Sequence, residues 1–335
     1  MNLKVNLKKD SYQIIIKRGA LDNVKKLLSL DRKVLIVTDD GVPKEYAEKI
    51  AKASKYSKII TIKSGEESKN IENYKLLLSA MLENSFTRKD AVVAVGGGVI
   101  GDLAGFVASS YMRGVDFYNI PTTFLSQVDS SIGGKVAIDF DGYKNAVGAF
   151  YQPKKVIIDP DTLKTLSLRQ LYNGVVESIK MALTFDKKLF VLLCDQQNLN
   201  DNLEEIIIRS LKIKKRVVEK DVKEKRLRKV LNFGHTIGHA IESLYIGQLL
   251  HGECVALGML CFINDKDRQK LEEVLIKYQQ KTKVDANIEK ITSIIKHDKK
   301  ANDSTITVVK VPTIGKFTLE ELSIDEISKH VGEIL

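Results

Sequence analysis

The strongest constraint on this chain is a change of texture near Pro160. Before it, short β-branched runs lie between amphipathic stretches: YQIII (12–16), KVLIVT (33–38), KIITI (58–62), AVVAV (91–95), FYNI (117–120) and KVIID (155–159), with helical patterns such as 43–53 and 70–83. Apolar strands separated by helices predict a parallel or mostly parallel sheet covered on both faces. After it, apolar residues recur at three and four spacing through 168–184, 203–229, 232–246, 251–264 and 266–281, and one late strand-like run, TITVVKVP (305–312), interrupts them. The 335 residues exceed what one core usually supports. The expected architecture is an α/β N-terminal domain (1–160) with a mostly parallel sheet and an all-helical C-terminal domain (161–335), with a ligand expected in the cleft between them.

A glycine cluster sits at one of the predicted strand ends. AVVAVGGGVIGDLAG (91–105) runs from a buried strand through Gly96, Gly97 and Gly98 into a helix carrying Asp102. Such a turn lets the backbone approach a pyrophosphate, and the following helix offers free N–H groups. It is not GxGxxG and does not follow the first strand, which disfavours an ordinary Rossmann fold. PTTFLSQVDSSIGGKVAID (121–139) adds Thr122, Thr123, Asp129 and a Gly133–Gly134 turn before Lys135, and GYKNAVGAFYQP (142–153) adds Lys144 and Asn145.

The net charge of +10 raises the question of nucleic acid. The densest basic segment, RSLKIKKRVVEKDVKEKRLRK (209–229), contains no aromatic residue and matches no binding module, so it reads as a solvated helix face or as one wall of a site for a small anion. The three cysteines show no CxxC spacing and read as reduced, buried residues. Lysines interrupt the apolar residues of the N-terminal segment and no run of eighteen apolar residues occurs; the expectation is a cytoplasmic protein without a membrane span.

LNFGHTIGHAIE (231–242) carries His235 and His239 one helical turn apart, a spacing open to a metal pair, a proton relay or a polar stripe. HGECVALGM then begins a further helix with His251, and NGVVESIKMAL (173–183) places Glu177 and Lys180 in an otherwise apolar helix, where an unpaired carboxylate would be costly. Two histidines and a glutamate with an open position form a catalytic zinc arrangement. Spacing alone favours His235 and His239 as the ligating pair.

Together, GGGVIGDLAGF, PTTFLSQVDSSIGGK, YKNAVGAFYQP, ES-I-K, LNFGHTIGHAIE, HGE-VALGM and DKK resemble the blocks of the 3-dehydroquinate synthase family, in that family's order, from about residue 65 to 300. The resemblance implies a dehydroquinate-synthase-like fold. It also implies a shikimate-pathway activity: 3-deoxy-D-arabino-heptulosonate 7-phosphate becomes 3-dehydroquinate and phosphate by transient NAD-dependent oxidation, phosphate elimination, re-reduction and aldol closure. It assigns Zn2+ or Co2+ to Glu177, His235 and His251, and leaves His239 a proton-handling role. It places NAD on Asp39, Glu66, Lys69, Gly97, Gly98, Asp102, Thr122, Thr123, Asp129, Lys144 and Thr165. It gives the sugar phosphate's anionic groups to Lys135, Lys180, Lys214, Arg228, Asn232 and Lys299, with Lys300 adjacent, and it implies a homodimer in which Arg113 reaches the neighbouring site. Departures from the family's pattern fall at Tyr143, Ser167 and Val222, outside those residues. Other sugar phosphate cyclases and metal-dependent polyol dehydrogenases are the alternative enzymes, and a basic binding protein is the non-enzymatic one.

Overall fold

The computed structural model describes residues 1–298 and 305–335. The chain divides into two compact units, Met1–Leu166 and Ser167–Leu335.

In the first unit the elements run β1 (Asn2–Val5), β2 (Tyr12–Ile16), α1 (Val24–Leu27), β3 (Lys33–Asp39), α2 (Lys44–Ala53), β4 (Tyr56–Ile62), α3 (Ile71–Glu83), β5 (Ala91–Gly96), α4 (Gly98–Ser110), β6 (Asp116–Pro121), β7 (Lys135–Phe140), β8 (Tyr143–Phe150) and β9 (Lys155–Ile158). Seven strands form one sheet in the order β1-β2-β9-β6-β5-β3-β4. All neighbours are parallel except β1, which runs antiparallel to β2. Strand periodicity divides the core: Val34, Ile36 and Val93 face α2, while Leu35, Val37, Val92 and Ala94 face α3 and α4.

The chain leaves β3 for β4 at one edge and returns to β5 on the other side of β3. The winding therefore reverses between β3 and β5, and open parallel sheets bind ligands at the carboxyl ends of such strands. β7 and β8 form a separate antiparallel hairpin. The 3-10 segment Pro160–Thr165, which the loss of strand texture assigned to the second domain, belongs to the first unit. Gln127 ties it there, donating from Nε2 to the Asp159 carbonyl at 3.1 Å and to Thr162 Oγ1 at 3.0 Å.

The second unit contains α5 (Leu168–Phe185), α6 (Lys187–Cys194), α7 (Leu199–Lys220), α8 (His235–Leu244), α9 (His251–Leu260), α10 (Asp265–Lys277), α11 (Ile288–Asp298), β10 (Thr305–Thr313), β11 (Lys316–Ser323) and α12 (Ile324–Val331). The strand-like run at 305–312 is a strand, and its antiparallel partner β11 makes this unit helical with one hairpin. β11 alternates weakly because acidic Glu320 and Glu321 interrupt its apolar residues. The long helix expected over 203–229 stops at Lys220. There the Asp221 carboxylate accepts from the backbone N–H of Lys225 at 3.0 Å, Arg226 at 2.6 Å and Arg228 at 3.0 Å, holding the chain in a loop. Among the described residues no helix is long and apolar enough to cross a membrane.

Candidate active site

The metal-ligating candidates come from α5, α8 and α9. On α5, Glu177 and Lys180 lie one turn apart with side chains 1% and 2% exposed, and Lys180 Nζ donates to Glu177 Oε2. α8 starts after Gly234, whose φ of +79° is the left-handed conformation glycine tolerates. α8 and α9 meet through glycines: a Cβ on Gly258 would lie 1.9 Å from the Gly234 carbonyl oxygen, and one on Gly238 would lie 3.0 Å from that of Cys254. This close approach gathers three imidazoles, with ring centroids 5.1 Å apart for His235–His239, 5.2 Å for His235–His251 and 5.7 Å for His239–His251.

The hydrogen bonds of two of these rings aim them. His235 Nδ1 lies 3.1 Å from the Phe233 carbonyl, and His251 Nδ1 lies 3.1 Å from Glu242 Oε2. With Nδ1–H donated to those acceptors, each Nε2 faces Glu177 Oε1, at 3.8 Å from His235 and 3.5 Å from His251. That oxygen is buried and has no hydrogen-bond partner. Buried carboxylate oxygens are normally satisfied, and imidazoles whose second nitrogen is held by a carbonyl or carboxylate are the usual form of histidine metal ligands. The donor set therefore fits a divalent cation. The nitrogens of His235, His239 and His251 lie within 4.8 Å of one another, so the geometry also admits His239 as a donor; its exposure sets it apart from the other two.

The electrostatics point the same way. Burial alone would raise the Glu177 carboxyl, but the Lys180 charge, His251 and His235 outweigh it and hold Glu177 well below the ordinary carboxylate range. Burial and the Lys180 charge hold His235 neutral, against the attraction of Glu177. Burial would also lower His251, but Glu177 and Glu242 raise it to about 9. A negative field that retains a proton so firmly would also retain a cation in the proton's place.

Three of the remaining candidates lie on this unit. Lys214 is buried on α7. Arg228 is buried in the 3-10 segment Leu227–Asn232, its Nη1 donating to the Val222 carbonyl at 2.6 Å. Asn232 is exposed and donates from Nδ2 to Glu224 Oε1 at 2.6 Å. Lys299 and Lys300 lie outside the described residues. Sequence reasoning missed Glu242, although it lies three residues after His239 on the same helical face, where a carboxylate can reach a neighbouring ring.

On the first unit, the glycine loop joins β5 to α4 as expected. Gly97 precedes α4 without a side-chain cap, leaving the helix's first N–H groups available. A Cβ on Gly97 would lie 3.1 Å from Thr123 Cγ2, and one on Gly98 would lie 3.1 Å from Ser130 Oγ, so the loop is a cradle that side chains would fill. Thr122 follows β6 and donates its N–H to the Gly96 carbonyl at 2.9 Å. Asp39 ends β3, beside the same reversal of winding; burial raises its carboxyl despite an N–H from Gly41 at 2.9 Å. Free N–H donors at the helix end and an acceptor at the neighbouring strand end suit the pyrophosphate and ribose of a dinucleotide.

Lys69 gathers a carboxylate set at this level. Its Nζ lies 2.5 Å from Glu66, 3.5 Å from Asp102 and 3.9 Å from Asp139. Burial would lower the ammonium, but Asp102, Glu66 and Asp139 together raise it. Thr165 lies 3.4 Å from the Tyr46 hydroxyl. Asp129 lies in the π-helical turn Ser126–Ser130. Lys135 starts β7 and Lys144 lies on exposed β8. Arg113 is exposed at the end of a 3-10 turn with φ +68°.

The profile described as 3-dehydroquinate synthase N-terminal matches residues 59–173, and the one described as 3-dehydroquinate synthase C-terminal matches residues 174–301. The chain is 41% identical over 350 residues to a 3-dehydroquinate synthase of Clostridium acetobutylicum, covering 98% of each chain. It is 39% identical to that of Streptococcus thermophilus, covering 99% of each. Among solved structures, it superposes on 2-deoxy-scyllo-inosose synthase complexed with carbaglucose-6-phosphate, NAD+ and Co2+ with a TM-score of 0.89, 25% identity and full coverage of both chains. It superposes on 2-epi-5-epi-valiolone synthase from Streptomyces hygroscopicus, with NAD+ and Zn2+ bound, with a TM-score of 0.88, 25% identity and 98% coverage of each. A butanol dehydrogenase from Thermotoga maritima shares the fold at a TM-score of 0.66 and 14% identity, covering 96% of each chain.

Proposed function

The chain belongs to the 3-dehydroquinate synthase family, and from that membership we propose which of its residues carry the family's reaction. The activity is conversion of 3-deoxy-D-arabino-heptulosonate 7-phosphate to 3-dehydroquinate and phosphate, a lyase step of the shikimate pathway, with NAD and a divalent metal as cofactors. The single observation that carries the residue assignment is the buried, unpartnered Glu177 Oε1 facing His235 Nε2 and His251 Nε2.

Glu177, His235 and His251 would hold Zn2+ or Co2+; Gly97, Gly98, Asp39, Glu66, Lys69, Asp102, Thr122, Thr123, Asp129, Lys144 and Thr165 would hold NAD. When bound, the dinucleotide supplies a hydride acceptor that each turnover regenerates, and the metal supplies a Lewis acid beside the alcohol to be oxidised.

The protein's own side chains do the rest. Lys135, Lys180, Lys214, Arg228, Asn232 and Lys299 bind and orient the anionic substrate, and the basic ones among them hold phosphate as it leaves. Lys180, fixed against Glu177, also keeps that carboxylate ionised. His239 is exposed beside the two inner imidazoles and shuttles protons. Elimination follows because the ketone acidifies the C–H beside it, and phosphate leaves from the next carbon along as that proton is taken. A homodimer in which Arg113 serves the neighbouring copy, and a cytoplasmic location consistent with three cysteines that form no disulfide, belong to the same reading.

The deciding assay follows inorganic phosphate released from 3-deoxy-D-arabino-heptulosonate 7-phosphate with trace NAD and added zinc, while recording absorbance of NADH. Phosphate far exceeding NAD, without accumulation of NADH, is the expected result. Stoichiometric NADH from a polyol, with no phosphate, would overturn the reading.

A further inference from the structure

We propose that Asn173 caps α9 from a different helix, and that this bond sets the spacing between Glu177 and His251. The inference rests on reading Glu177, His235 and His251 as the metal donors. α9 opens at His251 behind Leu250, whose side chain offers no acceptor, yet the first N–H groups of a helix have no intrahelical partner. Serine, threonine, asparagine or aspartate usually supplies one from the position before the helix. Here the acceptor comes from α5: the Gly252 N–H donates to Asn173 Oδ1 at 2.6 Å, in a buried contact. A Cβ on Gly252 would lie 2.1 Å from the Asn173 carbonyl oxygen, so the two helices approach this closely only because residue 252 is glycine. The Asn173 amide is oriented by donation from Nδ2 to Gln170 Oε1 at 3.5 Å.

A second clasp lies one turn earlier. Arg169 donates from Nε and Nη2 to the two Glu253 oxygens at 2.8 and 2.9 Å, and Glu253 Oε2 also accepts the Leu250 N–H at 2.8 Å. Arg169, Asn173 and Glu177 follow one another at four-residue steps along one face of α5. They meet Glu253, Gly252 and His251 in turn, so α5 grips the first turn of α9 at three consecutive residues. Because Asn173 fixes the backbone on one side of His251 and Glu177 faces its ring, displacement of that backbone would open the distance between the two donors. Asn173 is thus a positioning residue.

The test titrates the metal-free, full-length protein with Co2+, reading affinity and the visible absorption of the bound ion, with thermal melting alongside. Asn173→Ala is expected to bind Co2+ about 10–100-fold more weakly, as loss of ligand-supporting residues generally does, with an altered spectrum. Asn173→Asp, which keeps the acceptor, is expected to recover both. A purely structural role would lower the melting temperature of Asn173→Ala and leave the Co2+ affinity and spectrum at the wild-type values, and that result would overturn the proposal. If the alanine variant does not fold, Asn173→Ser, with a shorter acceptor, replaces it under the same criteria. Failure of the wild-type protein to bind Co2+ would instead overturn the donor assignment on which the proposal rests.

Discussion

Glu177 Oε1 and His251 Nε2 lie 3.5 Å apart at the base of the histidine cluster, and that oxygen, although buried, makes no hydrogen bond. A cation is the group that would satisfy both atoms. Glu177→Gln removes the negative charge while keeping the shape, and it also leaves the Lys180 ammonium buried without its counter-ion. Metal content by elemental analysis should fall from about one per chain to near zero, and the metal-free form should lose roughly 3–5 kcal/mol of stability. A fully metallated Glu177→Gln protein would remove this carboxylate from the ligand set.

The two histidines of α8 should respond differently. His235→Ala is expected to abolish both metal binding and phosphate release. His239→Ala should retain the metal and lose roughly 10²–10⁴-fold in turnover, the usual contribution of a proton-transfer group. Equal loss of metal in both variants, measured by chelator competition, would assign the exposed ring to the coordination sphere.

The glycine contact between α8 and α9 makes a stability prediction. A methyl on Gly258 would lie 1.9 Å from the Gly234 carbonyl oxygen, a backbone atom that cannot swing aside. Gly258→Ala should cost about 2–3 kcal/mol by overpacking, or roughly 5–10 °C in the melting of this unit. Gly332→Ala, where a Cβ would meet nothing within 4 Å, is the control and should melt with the wild-type protein. Coincident melting of all three would show that the helices can part without penalty.

Lys69 gives a pH signature. Its ammonium is raised above 10.5 in the folded protein, by Asp102, Glu66 and Asp139 working against burial. The folded state therefore holds this proton more tightly than the unfolded chain does. The resulting stability is complete below the unfolded value near 10.5 and is lost as pH rises through the folded one. Denaturant unfolding should show the wild type losing stability more steeply than Lys69→Met above that pH, and the variant should also bind NAD more weakly. Parallel pH curves would show that the carboxylates do not hold the proton.

Arg113 can be tested by mixing. If it serves the neighbouring copy of a dimer, Arg113→Ala and His235→Ala are each inactive alone. Co-refolded in equal amounts, they should recover about a quarter of wild-type activity, because half of the dimers are mixed and each mixed dimer holds one complete site. No recovery would place Arg113 in its own subunit's site, and an active Arg113→Ala homodimer would place it outside the site altogether.

The parts of this structure legible in the sequence are those that obey a period or a bend. β3 and β5 are unbroken apolar runs, and the glycine loop between β5 and α4 announces itself by composition. The buried Glu177 was visible as a carboxylate in an apolar helix. Spacing alone joined His235 to His239; the start of a neighbouring helix brought His251 forward, and only the family resemblance put it among the ligands in place of His239. β11 escaped because its acidic residues blur the alternation, and the end of α7 escaped because Asp221 stops it with hydrogen bonds that no periodicity shows. Asn173 escaped for a different reason: its partner is a backbone N–H on another helix, so its role exists only once Gly252 lets the two helices touch.

The three grips of α5 on α9 also set limits on how this chain can change length. Inserting or deleting one residue between Arg169 and Glu177 would turn the downstream part of the helix by about 100°, separating Glu177 from the register that Arg169 and Asn173 set. A slip between Asn173 and Glu177 would leave both upstream clasps in place and still carry the glutamate away from His251. Side chains along this stretch can be exchanged one at a time, but the spacing of the three positions cannot change by a residue without losing that register.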